Sequence, residues 1–247
     1  MKHQIASPVL ILGARSDIGR ALALAYAAKG CEVILAARRA DELDADCADI
    51  RLRFGAVSRA VEFDATAPDP DAFFQALPEV PGTVIMVVGL LGDHERSLAQ
   101  DAAAALVMES NYNGPSRYLL AAGRALTGKP GATIIGISSV AGDRGRGSNF
   151  IYGSAKAGFT AFLSGLRNSL AGQGVHVLTV KPGFVDTQMT AGMNLPRALT
   201  AQPQAVAQAI VRAHVKQANV IYTKPVWRAI MLIIRLIPEF IYKKLKL

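Results

Sequence analysis

A chain of 247 residues, 51% hydrophobic, is long enough to bury one large core, and α/β folds of this size commonly form one domain. Cys31 and Cys47 show no CxxC spacing and no secretory leader precedes them, which points to a reducing, cytoplasmic setting; His3, His94, His176 and His214 lack metal-ligand spacing and read as surface or packing residues, so no metal is expected. The net charge is +8, but from Lys224 onward six basic residues (Lys224, Arg228, Arg235, Lys243, Lys244, Lys246) face Glu239 alone, so the excess belongs to the tail, which argues against nucleic acid as a partner.

In chain order, the apolar run over 9–12 ends at Gly13, as a buried central strand does when it enters a tight turn. A helix is predicted over 18–29, stopped by Gly30, then a strand over 32–37, a polar helix over 40–54 and a strand over 57–63. Two more buried strands, 83–88 and 133–137, flank a long Ala-rich helix over 97–126, and a helix over 152–170 leads to a strand over 175–180. Strands alternating with crossover helices require a parallel sheet covered on both faces. The expected fold is therefore α/β, a single-domain doubly wound Rossmann fold with a mostly parallel sheet over 1–223, followed by a basic amphipathic tail over 224–247. Ligands of such sheets bind beyond the carboxyl ends of the strands.

The first such turn reads Gly13-Ala14-Arg15-Ser16-Asp17-Ile18-Gly19. Glycines at both ends and free N–H groups at a helix start suit a pyrophosphate, although the spacing is not G-x-G-x-x-G and many glycine turns bind nothing. Asp17 could instead cap the helix. After the second strand stand Arg38 and Arg39 and no acid, where a dinucleotide's adenosine ribose would lie; arginine there favours the 2′-phosphate of NADP over the 2′-hydroxyl of NAD, with Arg15 a third positive charge. The other reading of these arginines is a solvated strand end.

Ser138-Ser139-Val140-Ala141-Gly142 follows a buried strand, and Tyr152-Gly153-Ser154-Ala155-Lys156 opens a helix. Tyr152 and Lys156, four apart, share one helix face, and an ammonium beside a phenol is expected to lower the phenol's pKa toward neutrality, as a general acid/base requires.

Together these segments resemble the short-chain dehydrogenase/reductase family, with the likeness running over about residues 9–187. Ser139, thirteen residues before Tyr152, and Lys156 match its catalytic set, and Asn111 in Asn111-Tyr112-Asn113-Gly114 completes it. Pro182-Gly183-Phe184-Val185-Asp186-Thr187 matches the family's turn beside the nicotinamide, and Asp64-Ala65 falls where an Asp borders the adenine. Two departures stand out: Asp17 replaces a glycine, and Met86-Val87-Val88-Gly89 replaces N-N-A-G. The resemblance implies an NAD(P)-dependent carbonyl reductase or alcohol dehydrogenase in which Tyr152 donates the proton, Ser139 hydrogen-bonds the carbonyl oxygen, Lys156 holds the cofactor ribose and Asn111 positions a relay water. It also implies a homodimer or homotetramer. Within the family the likeness is nearest to reductases of polyprenyl-phosphoryl-2-keto-ribose, carried by Gly89-Leu90-Leu91-Gly92-Asp93, by Asn149-Phe150-Ile151 before Tyr152, and by Arg235-Leu236-Ile237-Pro238 with Lys243-Lys244-Leu245.

Three features bear on the substrate. Arg144 and Arg146 lie between Ser139 and Tyr152 and could grip an anionic group, or make only surface salt bridges. Met189 and Met193 belong to an apolar segment suited to a lid. Residues 226–237 are almost wholly apolar but interrupted by Arg228 and Arg235, too short for a span; they read as a helix lying on an anionic membrane surface, or as one packed on the core or a second subunit.

Overall fold

The computed structural model describes residues 4–245; His3 and Lys246 lie outside them. Seven parallel strands, β1 (Val9–Leu12), β2 (Val33–Ala37), β3 (Ser58–Glu62), β4 (Thr83–Met86), β5 (Thr133–Ile137), β6 (His176–Lys181) and β7 (Val220–Tyr222), are ordered β3-β2-β1-β4-β5-β6-β7. The order reverses between β1 and β4, whose register sets Ile11 beside Ile85, and this reversal opens the crevice in which doubly wound sheets bind ligands.

Side chains alternate across the sheet and divide the core in two. Ile11, Leu35, Ile85 and Leu178 face α1 (Asp17–Ala27) and α8 (Pro203–Val215) through Leu22, Tyr26, Val206 and Ile210. Leu10, Ile34, Val84 and Val177 face α6 (Gly114–Leu126) and α7 (Phe150–Leu170) through Tyr118, Leu119, Phe159 and Leu163. With both faces covered, strands read as continuous apolar runs, which is why β1, β2 and β4 to β6 are visible in the sequence.

The differences from expectation have local causes. The helix expected over 40–54 begins with a 3-10 turn, because Glu62 accepts the Arg39 and Ala40 N–H groups and Arg39 takes a left-handed φ of 56° before α2 (Asp44–Phe54) starts. The single helix expected over 97–126 is three: α4 (His94–Ala99), α5 (Asp101–Met108) and α6, broken by extended backbone at Gln100 and by a π turn at Glu109–Asn113. Asp93 caps α4, accepting from Arg96 N. Helix α3 (Pro70–Ala76), α8 and the short edge strand β7 were not predicted. The tail forms α9 (Val226–Leu236) and α10 (Glu239–Tyr242), and α9 packs through Trp227 and Met231 against Val140.

Candidate active site

The first turn owes its shape to Ser16, whose hydroxyl donates to Gly13 O at 2.8 Å and accepts from Gly19 N at 3.1 Å, capping α1. Gly13 has φ +101°, and a Cβ on Gly19 would sit 2.6 Å from Gly13 O, so both glycines are required for the turn. Ile18 is half-buried behind it. The cap is Ser16 rather than Asp17; the Asp17 carboxylate instead accepts Gln188 N at 2.8 Å, tying this turn to the segment after β6. Arg15 does not stand as an unpaired third charge, as it is salt-bridged to Glu42 and donates to Arg38 O at 3.2 Å. Arg39 is likewise held by Glu42, at 2.7 Å. Arg38 remains exposed at the end of β2. Burial works against ionisation of Asp64, but hydrogen bonds from Thr66 N and Oγ1 and the charge of Arg38 overcome it and hold the carboxyl below its usual range. Ala65 is buried beneath Gly114, where any Cβ would strike the Ala65 carbonyl.

The catalytic candidates converge at the carboxyl ends of β4 and β5. Ser139 opens a 3-10 turn, its Oγ accepting from Ala141 N at 3.1 Å and hydrogen-bonded to Tyr152 on the first turn of α7. Lys156, one turn on and 3% exposed, donates from Nζ to Ile137 O at 3.2 Å and lies 5.9 Å from the Tyr152 ring centre. Asn111 sits inside the π turn, where the Gly114 N–H reaches back to Glu109 O. That extra residue turns Asn111 inward, fully buried, its Nδ2 donating to Val107 O at 2.8 Å and Leu90 O at 2.6 Å and its Oδ1 accepting from Leu90 N at 3.2 Å. A Cβ on Gly89 would lie 3.3 Å from Asn111 Oδ1, 3.5 Å from Lys156 Nζ and 3.6 Å from Met189 Cε. The glycine thus keeps open a cradle between the Asn111 amide and the Lys156 amine, and the residues present fit a dinucleotide there.

Burial dominates the protonation of the pair. It pushes the Lys156 ammonium down to about 7 and raises the Tyr152 phenol, against which Ser139 and Arg146 act only in part. The expected lowering of the phenol by the lysine is therefore corrected: both groups are driven toward neutrality, and Tyr152 stands as a protonated phenol, able to donate.

The segment after β6 closes the site. Val140 N donates to Pro182 O at 2.9 Å, joining the Ser139 loop to the Pro182–Gly183 turn. Val185 bridges Ala201, and Thr187 and Thr190 cap one another. Beside Tyr152 lies a cavity of about 160 Å³ whose walls include Leu91, His94, Asn149, Ile151 and Met193. Met189 and Met193 thus both border the site. Two wall residues lie outside the expected site set: His94, whose Nε2 lies 3.0 Å from Gly147 O with its ring edge-on to Phe150, as a packing residue would, and Asn149, whose side-chain oxygen is buried without a hydrogen bond. The cap at Asp93, just past β4, was the signal that could have placed His94 there.

The two loop arginines separate. Arg146, half-buried, bears on Tyr152 electrostatically. Arg144 is not available to a substrate, which corrects the expectation for it: Nη1 donates to Ile234 O at 2.5 Å and Ile237 O at 2.6 Å, Nη2 bonds Glu239 at 2.9 Å, and the group lies 3.5 Å from the Tyr242 ring centre.

A doubly wound sheet with a capped glycine turn at its first strand and a buried Tyr–Lys pair at its fifth defines a dinucleotide-dependent oxidoreductase. Comparison with known proteins agrees. The family model described as short chain dehydrogenase matches residues 7–198. An uncharacterised oxidoreductase of Mycobacterium tuberculosis is 36% identical over 244 residues, covering 97% of each chain, and the 3-oxoacyl-[acyl-carrier-protein] reductase of Escherichia coli is 31% identical over 191 residues, covering 75% of this chain and 76% of its own. A short-chain dehydrogenase from Sphingobium yanoikuyae, solved in complex with NADPH, shares the fold with a TM-score of 0.80 at 23% identity, covering 91% of this chain and 92% of its own. The chain belongs to the short-chain dehydrogenase family and is an NAD(P)-dependent oxidoreductase acting on CH–OH or C=O groups.

Proposed function

We propose that this protein is an NADPH-preferring reductase of a ketone carried on a lipid, of the polyprenyl-phosphoryl keto-sugar kind, working at a bilayer surface. A bound nicotinamide supplies the hydride. The chain supplies the rest: Tyr152 donates its proton to the developing alkoxide, Ser139 hydrogen-bonds the same oxygen, and Lys156 holds the cofactor ribose. Asn111, its amide beside the Gly89 cradle, positions the water that returns a proton to Lys156. Gly13, Arg15, Ser16, Asp17, Ile18 and Gly19 form the pyrophosphate turn, Asp64, Ala65 and Gly89 the adenine and ribose edge, and Pro182, Gly183, Val185 and Thr187 the nicotinamide side. Arg38, with no acid beside it on β2, supports NADPH over NADH, as do relatives solved with NADPH.

The lipid reading rests on one observation. Leu232, Ile233, Leu236 and Phe240 are each more than half exposed on α9 and α10, in a segment that also carries Arg235, Lys243 and Lys244. Among the described residues no helix is long and apolar enough to cross a membrane, so the segment would lie on an anionic surface rather than span it. Met189 and Met193 would cover an apolar chain, and of the two loop arginines Arg146 remains for an anionic group.

Likeness to the E. coli reductase favours a second reading, a 3-oxoacyl reductase. NADPH oxidation with a phosphorylated polyprenyl keto-sugar, a 3-oxoacyl thioester and a small neutral ketone separates the two, together with sedimentation on anionic vesicles. Turnover of the lipid-linked ketone and loss of sedimentation in Ile233→Asp/Leu236→Asp support the proposal; preference for the thioester with no vesicle binding replaces it. A homodimer or homotetramer is the assembly we expect, and its mass in solution tests this.

A further inference from the structure

The inner face of α9 packs behind the loops that carry the active-site residues. Trp227, Ile230, Met231 and Ile234 follow the i, i+3, i+4, i+7 stripe of one helix face and pack with Val140, next to Ser139, and with Phe184 and Leu199, which flank the segment carrying Met189 and Met193. The Trp227 indole donates to Leu199 O at 3.1 Å, meets Phe184 edge to face at 5.2 Å, and covers Gly183 so closely that any Cβ there would collide with it.

The loop after Ser139 is held from the same side. Asp143, its side chain 2% exposed, takes Lys181 Nζ at 2.5 Å and the Tyr222 hydroxyl at 2.7 Å. Arg144 forks across the Ile234 and Ile237 carbonyls and Glu239. Gly145 O accepts from the Tyr242 hydroxyl at 2.7 Å. A helix end leaves its last carbonyls without intrahelical partners, so Arg144 acts as a C-cap for α9, supplied from a loop far earlier in the chain.

We infer that residues 226–242 buttress the active-site loops from behind, and that Arg144 and Trp227 are positioning residues holding the Ser139 loop and the Pro182–Gly183 turn in register with Tyr152. The inference is independent of a lipid substrate and needs only that the family's reaction takes place at Tyr152. Ser139 and Tyr152 must reach one carbonyl oxygen together, and a misplacement near 1 Å costs on the order of 10²-fold in rate.

The test is a double-mutant cycle of Arg144→Ala and Tyr242→Phe in the full chain, read as NADPH oxidation with a small neutral ketone and as amide hydrogen exchange. Arg144→Ala lowers kcat on the order of 10²-fold, with KM for the neutral ketone and Kd for NADPH within about threefold of wild type. Tyr242→Phe lowers kcat less, and the double variant is no slower than Arg144→Ala alone, because both act through one clamp. Arg144→Lys fails to restore the rate, since one ammonium cannot span two carbonyls, a carboxylate and a ring. Exchange over 139–146 rises in each variant while β1 to β5 keep their protection. Additive effects, unchanged kcat, or a KM rise confined to an anionic substrate would overturn the inference, the last by returning Arg144 to a substrate grip. The exchange arm needs no substrate, and Tyr242→Phe removes a single hydroxyl. Unchanged exchange over 139–146 in that variant therefore also overturns the inference, whatever the ketone panel shows.

Discussion

Lys156 carries its amine in a site that leaves it 3% exposed, and burial brings its pKa down to about 7. Below that pH it is charged and can pass a proton on to Tyr152; above it the relay has none to give. Reductive kcat/KM should therefore hold level on the acid side and fall about tenfold per pH unit above about 7, and Lys156→Met should lack that limb. A wild-type profile level to about pH 9 would contradict the assignment. Stability moves the other way. An unfolded lysine titrates near 10.4, so between about 7 and about 10.4 the unfolded chain binds more protons, and wild-type stability gains on Lys156→Met as pH rises through that window. Denaturant midpoints across the window measure the gain. Arg38 offers a second residue-scale test: Arg38→Asp should shift preference from NADPH toward NADH, since it replaces a phosphate partner with a hydroxyl acceptor and adds repulsion. Equal kcat/KM for the two cofactors in the unmutated protein would remove the reason for the prediction.

Helix α9 and the Pro182–Gly183 turn form one packed unit. Gly183→Ala should cost about 1–3 kcal/mol by overpacking, and Trp227→Ala about 3–5 kcal/mol by the void it leaves. Combined they should cost less than their sum, because the added methyl enters space the indole has left; urea midpoints decide this, and strict additivity would mean the two do not touch. This contact also marks the limit of what the sequence could tell. Strands buried on both faces write apolar runs, and Ser139, Tyr152 and Lys156 sit at short fixed spacings, so the sheet apart from its edge strand β7 and the catalytic candidates were legible. Trp227 against Gly183, and Arg144 against Ile234, join residues far apart in the chain, and nothing in local composition records them. The π turn around Asn111 was hidden for another reason: the polar run Glu109–Asn113 reads like an ordinary exposed turn of one long helix, and only one extra residue in the turn distinguishes it.

Across the whole molecule, the basic excess lies in the segment whose outer face is apolar and whose inner face backs the active-site loops. Vesicle binding should therefore weaken steeply with salt for anionic bilayers and be slight for neutral ones, because lysines near an anionic surface act within a Debye length. Sedimentation at low and high ionic strength checks this, and binding indifferent to both salt and lipid charge would separate the tail's charge from any membrane role. The functional reading depends on carbonyl reduction with Tyr152 as the proton donor. The most direct measurement compares NADPH oxidation by wild type and Tyr152→Phe on the same ketone, with NADPH affinity measured alongside. The expected result is a rate loss of about 10²–10⁴-fold with affinity nearly unchanged, because the phenol acts in the transition state and not in docking. A variant that keeps more than about a tenth of the wild-type rate would contradict the account.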